Sequence, residues 1–277
     1  MSSKSDSPEV ATSLGAVPRP RYSIVVPVHN EAECLASEVG ELVSALESKG
    51  VDHELILAEN GSSDDTAAIG DTLAEANSHI RVLRVPVADY GAAMKTGMLA
   101  GRGDLIVNFD IDFHDVGFML EAGEILTTET KTAELAGSGA TTQSAEAAAP
   151  AVGIVVGSKL IEGAEDKRSW ARHFVSWGFT TVLRILFDRR MDDTHGMKVL
   201  RREVVARFAP RTIMTTDLFD TELIIRARRA GVAVQALPVT VEEKRKPRSS
   251  IVRRIPRTIL GLLRLRVVLW KERLAFS

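Results

Sequence analysis

The chain has 277 residues, 45% hydrophobic and 26% charged, enough for one sizeable core with decorations. Aromatics at 5% are too few for a base-stacking platform on nucleic acid, and a single cysteine, Cys34, excludes a disulfide framework and suits a reducing compartment. The net charge of −2 conceals an asymmetry: Val241 to Ser277 holds eleven Lys/Arg against three Glu, a net +8 that leaves −10 for residues 1–240, and a basic tail on an acidic body points to a negatively charged partner.

Residues 1–19 are rich in Ser, Pro and Ala without an apolar run, so they are expected to be disordered and not a signal peptide. RYSIVVPV reads as a strand. Leu35, Val39, Leu42, Val43 and Leu46 then recur at helical spacing, with Asn30 as the expected N-cap, Glu33 three residues on, and Gly50 as the stop. ELILA from Glu54 is a second strand, followed by the turn at 59–64 and a helix from about Asp65. Ile80 to Val85 is a third strand, Gly91 to Ala100 a short helix and LIVNF a fourth strand. Strand alternating with helix predicts an α/β fold with a mostly parallel sheet. After a helix at 118–126, the Thr/Ala/Ser/Gly/Glu stretch 127–150 reads as a flexible insertion. Val152 to Val156 is another buried strand, Ser169 to Phe187 a helix, Lys198 to Leu200 extended, Asp217 to Ala230 a helix ended by Gly231, and Val232 to Val241 one or two late strands. No stretch of about eighteen uninterrupted apolar residues marks a transmembrane helix.

The chemistry gathers at LIVNFDID. A continuous apolar run reads as a buried parallel strand, and its carboxyl end is where open α/β sheets bind ligands. Asp110 and Asp112, two apart in extended chain, face the same way and can share one cation. An oxygen-only pair suits Mg²⁺ or Mn²⁺ completed by water and phosphate oxygens; the plainer reading is an acidic turn closing a strand. PVHNE and ENGSSDDT also follow apolar strands at the same end, and each leads into a helix whose free N–H groups could hold an anion. Neither a dinucleotide fingerprint nor a P-loop is present.

These pieces resemble a family 2 glycosyltransferase of the GT-A fold over about Arg21 to Ile251, and are most similar to the polyprenyl- and dolichyl-phosphate sugar synthases. The resemblance rests on IVVPVHNEAECL, LILAENGSSDDT, YGAAMKTGM, NFDID, VVGSK, DDTHGMKVLRR and FDTELIIRARRAG in that order. It implies a catalytic domain over 20–250; the charge and spacing of the tail predict a basic amphipathic helix over 251–277. It also implies that Pro27, His29, Glu31, Leu57, Glu59 and Asn60 line the donor nucleotide pocket with Asp110 and Ile111. The family usually has Asp where this chain has Glu59. Asp110 and Asp112 resemble the metal pair that bridges the donor diphosphate. Lys159 stands where the family often has a cation near the phosphates, and Lys244, Arg245 and Arg248 fall in the late loop, where Ser249-Ser250 replaces the usual Ser-Lys.

The implied reaction is metal-dependent inverting transfer of a sugar from a nucleotide-diphosphate donor. The leaving diphosphate gains charge, which a divalent cation stabilises. A polyprenyl phosphate acceptor is already ionised, whereas a hydroxyl acceptor of a lipid, glycan or small molecule needs a base. Asp220, in FDTEL, matches the catalytic Asp of hydroxyl-directed relatives, and with Asp112 it is the catalytic candidate; acids at a helix start are favoured in any case. Asp192 and His195 match the synthases' acceptor-side stretch or a structural turn. His29, His114 and His195 form no zinc pattern, and Cys34 reads as a small buried residue. In the tail, Arg253, Arg257, Arg264 and Lys271 make a helical stripe among Ile259, Leu260, Leu262, Leu263, Val267, Val268 and Trp270, with Arg266 and Arg273 off it. This suits an anionic membrane surface, giving a cytoplasmic protein peripheral on the membrane; docking on the catalytic domain or in a homodimer is the alternative. A non-catalytic nucleotide-sugar-binding scaffold also fits the donor motifs, whereas a nucleotidyltransferase lacks its Gly-rich basic loop.

Overall fold

A computed structural model describes residues 19–138, 151–166, 170–189, 191, 194, 196–241 and 251–275. The elements run β1 (Tyr22–Val28), α1 (Leu35–Ser48), β2 (His53–Asn60), α2 (Thr66–Ala76), β3 (Ile80–Val85), α3 (Tyr90–Ala100), β4 (Leu105–Asn108) and α4 (Val116–Ser138). They continue through β5 (Val152–Ser158), β6 (Glu165–Asp166), α5 (Trp170–Leu186), β7 (Lys198–Arg201), α6 (Arg202–Phe208), α7 (Phe219–Arg229), β8 (Ala233–Pro238), β9 (Thr240–Val241) and α8 (Ile251–Ala275). Two 3₁₀ turns, Ala209–Arg211 and Thr216–Leu218, join α6 to α7.

Seven strands form one sheet in the order β3-β2-β1-β4-β7-β5-β8; β6 and β9 pair separately. β1 is parallel to β2 on one side and to β4 on the other, while β7 runs antiparallel between β4 and β5. The expected mostly parallel α/β sheet is therefore present, with one reversed strand.

Because side chains alternate along a strand, the apolar runs supply two cores. Ile24, Val26, Leu55, Leu57 and Val107 meet Leu35, Val39, Leu42 and Leu46 of α1 and Met119 of α4 on one face. Val25, Ile56 and Ile106 meet Met94 and Met98 of α3, Leu223 of α7 and Leu262, Leu265 and Leu269 of α8 on the other. Gly97 lets α3 lie directly on β1, since a Cβ there would come within 2.4 Å of Val25 Cγ1.

Two expectations change. Asn30 is not the cap of α1: the helix begins at Leu35, with Cys34 preceding it and no side-chain cap. Asn30 instead takes φ 55, and its side-chain Oδ1 accepts the Ser63 N–H of the neighbouring loop at 2.8 Å. The helix expected to end at Leu126 runs on to Ser138, so the first part of the 127–150 stretch is helical rather than a flexible insertion. Residues 1–18 and 139–150, on which the expected disordered terminus and the rest of that insertion fall, lie outside the described residues.

Candidate active site

At the carboxyl ends of β1, β2 and β4 the sheet order reverses, and the loops there enclose a cavity of about 340 Å³ lined by Pro27, His29, Glu31, Asn60, Ala88, Tyr90, Asp110, Ile111 and Asp112. The sequence reading named seven of these nine. Asp110 and Asp112 do share one mouth, each partly exposed to it.

The β1 and β2 loops are stitched together. His29 Nδ1 pairs with the Asn60 carbonyl at 2.8 Å, and Asn60 Nδ2 donates to the Val28 carbonyl at 3.0 Å. The N–H of Asn30 goes to Ser62 Oγ, that of Glu31 to Thr66 Oγ1 and that of Ala32 to Asp64 Oδ2. In return the N–H groups of Ser62, Ser63 and Thr66 go to Glu59, Asn30 and Asp64. These loop amides hold the rim in shape.

Asp110 is pushed up to about 6, chiefly by burial, with the Asp112 and Asp220 carboxylates adding and the Lys198 ammonium opposing. Tyr90, at the start of α3, donates its hydroxyl to Asp110 Oδ1 at 3.2 Å. Burial, then the Asp110 and Asp220 charges, raises that phenol well above its ordinary range, so it stays a donor. Beneath lies a second carboxylate. Asp220, 3% exposed, accepts from Lys198 Nζ at 2.9 Å and Asn108 Nδ2 at 3.3 Å, and Lys198 Nζ also donates to the Gly196 carbonyl at 2.8 Å.

Two aspartates with a water-accessible face fit a hard divalent cation that keeps open positions for phosphate and water. Among the described residues no group of three or more His, Cys, Asp or Glu could hold a metal by itself.

Other expected residues fall elsewhere. Leu57 is fully buried in the core and does not reach the mouth, because its alternation on β2 turns it toward α1. Glu59 is buried behind the rim, accepting the Ser62 N–H at 2.6 Å and pairing with Arg84 at 3.5 Å. Lys159, just past β5, is half-buried and not in the lining. Asp192, His195, Lys244, Arg245 and Arg248 lie outside the described residues. Three residues of the site escaped the sequence reading: Ala88, Tyr90 and Lys198. Tyr90 left its signal in the cap Asp89 that starts α3 beside the β3 exit. Lys198 left one in a charge set at the head of β7 beside Met197, Val199 and Leu200, since a lysine is almost never buried without a partner.

The fold is the GT-A fold. It superposes on the glucosyl-3-phosphoglycerate synthase of Mycobacterium tuberculosis, solved in complex with Mn²⁺, uridine diphosphate and glucosyl-3-phosphoglycerate, with TM-score 0.56 and 21% identity over 89% of this chain and 80% of that one. Residues 23–114 match the model of glycosyl transferase family 2. The chain is 31% identical over 230 residues to the dolichyl-phosphate beta-glucosyltransferase ALG5C of Trichomonas vaginalis, covering 80% of this chain and 64% of that protein. It is 38% identical over 98 residues to an undecaprenyl-phosphate 4-deoxy-4-formamido-L-arabinose transferase of Sodalis glossinidius, covering 34% of this chain and 30% of that protein. The chain thus spans less than two thirds of the length of these relatives. The sequence resemblance to family 2, and to its polyprenyl-phosphate branch, is borne out.

Proposed function

We propose that the chain is a metal-dependent, inverting glycosyltransferase that moves a sugar from a nucleotide-diphosphate donor to a polyprenyl phosphate. The observation that carries the reading is the convergence of Asp110 and Asp112 in one mouth with Pro27, His29, Glu31 and Asn60. Asp110 and Asp112 would hold Mg²⁺ or Mn²⁺ there, and the cation would supply positive charge to a departing diphosphate. Tyr90 orients Asp110, and the stitched loops present Pro27, His29, Glu31 and Asn60 as a preformed wall for the nucleoside. Burial of Asp110 raises the free energy of its unpaired charge, which favours uptake of a cation.

The state of Asp220 supports a phosphate acceptor over a hydroxyl. A general base must reach the proton it removes, whereas Asp220 is buried with its oxygens engaged by Lys198 and Asn108. An ionised phosphate needs no such base. Asp220 then acts with Lys198 as a fixed charge pair under the mouth.

The seat of α8 supports a peripheral position on the cytoplasmic face of a membrane. Leu262, Leu265 and Leu269 dock on the body, while Leu260, Leu263, Val267, Trp270 and Leu274 form an exposed apolar stripe on the outer side. At 100° per residue, Arg257, Arg264 and Lys271 flank that stripe on one side and Arg266 and Arg273 on the other. The two alternatives for the tail are thus divided between its faces, and the outer one matches an anionic bilayer. Among the described residues no helix is long and apolar enough to cross a membrane.

The deciding assay is transfer from sugar nucleotides with Mn²⁺ to lipid-phosphate extracts. Asp110→Asn and Asp112→Asn should each reduce turnover about 10²- to 10³-fold while the fold is kept, the scale of losing one charge-stabilising group. Full activity in both would end the metal reading. For the membrane, Leu263→Glu with Trp270→Glu should release the protein from phosphatidylglycerol vesicles, and unchanged co-sedimentation would sink that part alone.

A further inference from the structure

Between α8 and the mouth stands the segment 212–218, and both of its sides are fastened. On the outer side a Cβ at Gly261 of α8 would come within 2.3 Å of Leu218 Cδ1, so helix and turn are in close contact. Glu222 Oε2 accepts the N–H groups of Ile213 at 2.9 Å and Met214 at 2.6 Å. Its Oε1 takes Arg226 Nε at 2.7 Å, and the two terminal nitrogens of Arg226 grip Glu272 of α8 at 2.8 and 3.0 Å. On the inner side the Thr216 N–H donates to Asp89 Oδ1 at 2.8 Å, the same oxygen that caps the Ala92 N–H at 3.0 Å. A Cβ on Gly91 would meet Thr216 N at 2.6 Å. The next residue after the cap is Tyr90, whose hydroxyl holds Asp110. Thr216 itself sits at φ 54, which a β-branched residue adopts only when its surroundings impose it.

We infer that Glu222, Arg226 and Gly261 are positioning residues that make segment 212–218 a stiff spacer, passing the seat of α8 to Tyr90 and through it to Asp110. All three lie outside the mouth lining. A buried carboxylate shared between two backbone amides and one guanidinium has little slack, and the same guanidinium is bidentate to α8. Displacing α8 therefore moves a hydrogen-bonded unit rather than loosening one contact. What the mouth binds rests on the proposed donor reading; the mechanical link does not.

The test uses the full chain carrying Glu272→Ala or, separately, Gly261→Ala. Amide hydrogen exchange should accelerate in 212–216 and in the first turn of α3, residues 90–93, while α1 and β2 keep their protection. With Mn²⁺ and uridine diphosphate as the probe, Kd should weaken about fivefold or more, the scale of a modest coupling between sites. Arg226→Lys, which keeps the charge, should lie between wild type and Arg226→Met. Exchange that rises in α8 alone, or evenly over the whole chain, overturns the link, as does an unchanged Kd beside a wild type that binds. A wild type that binds no Mn²⁺–nucleotide counts against the donor reading instead, and the exchange pattern then decides the link by itself.

Discussion

The rim of the mouth and the cluster beneath it solve the same problem, holding polar groups in place at the end of a sheet, in opposite ways. The rim is redundant. Six backbone N–H groups of the two loops are each matched to a side chain, spread over Asn30, Glu59, Ser62, Asp64 and Thr66. The cluster is concentrated: Lys198 faces Asp220 directly and acts on Asp110 across a shared buried space. Three of the rim bonds are neutral, worth about 0.5–1.5 kcal/mol net each, and three end on the Glu59 or Asp64 carboxylates, worth about 1.5–3 kcal/mol each. A buried ion pair broken on one side costs more. The rim should therefore lose strength by degrees, and the cluster all at once.

The sharpest way to break that contrast is Lys198→Met. It strands a carboxylate that is 3% exposed, and breaking such a pair costs about 3–5 kcal/mol. Denaturant unfolding should show this loss, and Lys198→Met combined with Asp220→Leu should recover most of it, since a pair replaced by apolar residues is often neutral. A single variant within about 1 kcal/mol of wild type would remove the concentrated cluster from the account.

This difference also explains what was legible beforehand. The first four strands were read to within two residues at each end, because each is an apolar run bounded by a short turn, whereas the start of α1 and the end of α4 were missed. Asp110 and Asp112 were readable for the same reason: a strand end fixes where its next residues point. Asn30 was misassigned because a cap and a cross-loop acceptor have the same residue type, and only the partner at Ser63 distinguishes them. The Asp220–Lys198 pair joins β7 to α7 across 22 residues and Tyr90 meets Asp110 across 20, contacts no local pattern encodes. Leu57 failed for a simpler reason, since period-two alternation puts it on the core face.

The next largest effect is on pH. Asp110 must be ionised to hold a cation, and burial has moved it up to about 6. Apparent Mn²⁺ affinity should then be flat above pH 7 and fall below 6 with a limiting slope of about tenfold per pH unit. Tyr90→Phe removes the hydrogen bond that favours the ionised form, so the break should move to higher pH. For folding without metal the sign is opposite to that of an ordinary salt-bridged acid. The folded value lies above the unfolded one, so the contribution is fully present below the usual carboxylate range and lost as pH rises through about 6. A metal-binding profile with no break between pH 5 and 7 would show that Asp110 is not the group that takes the cation.

The smallest effect tests the redundancy of the rim. Asn30→Ala deletes the acceptor for Ser63 and also places alanine at φ 55, where a Cβ is penalised. Asn30→Gly deletes the same acceptor and keeps the backbone at ease. If the rim is stitched as redundantly as its bonds indicate, Asn30→Gly should cost about 1 kcal/mol or less, and Asn30→Ala about 1 kcal/mol more than that. Donor affinity should change little in either, because the amides of Glu31 and Ala32 remain tied to Thr66 and Asp64. A large loss of affinity in Asn30→Gly would mean that one bond holds the loop, and the rim would then be as concentrated as the cluster below it.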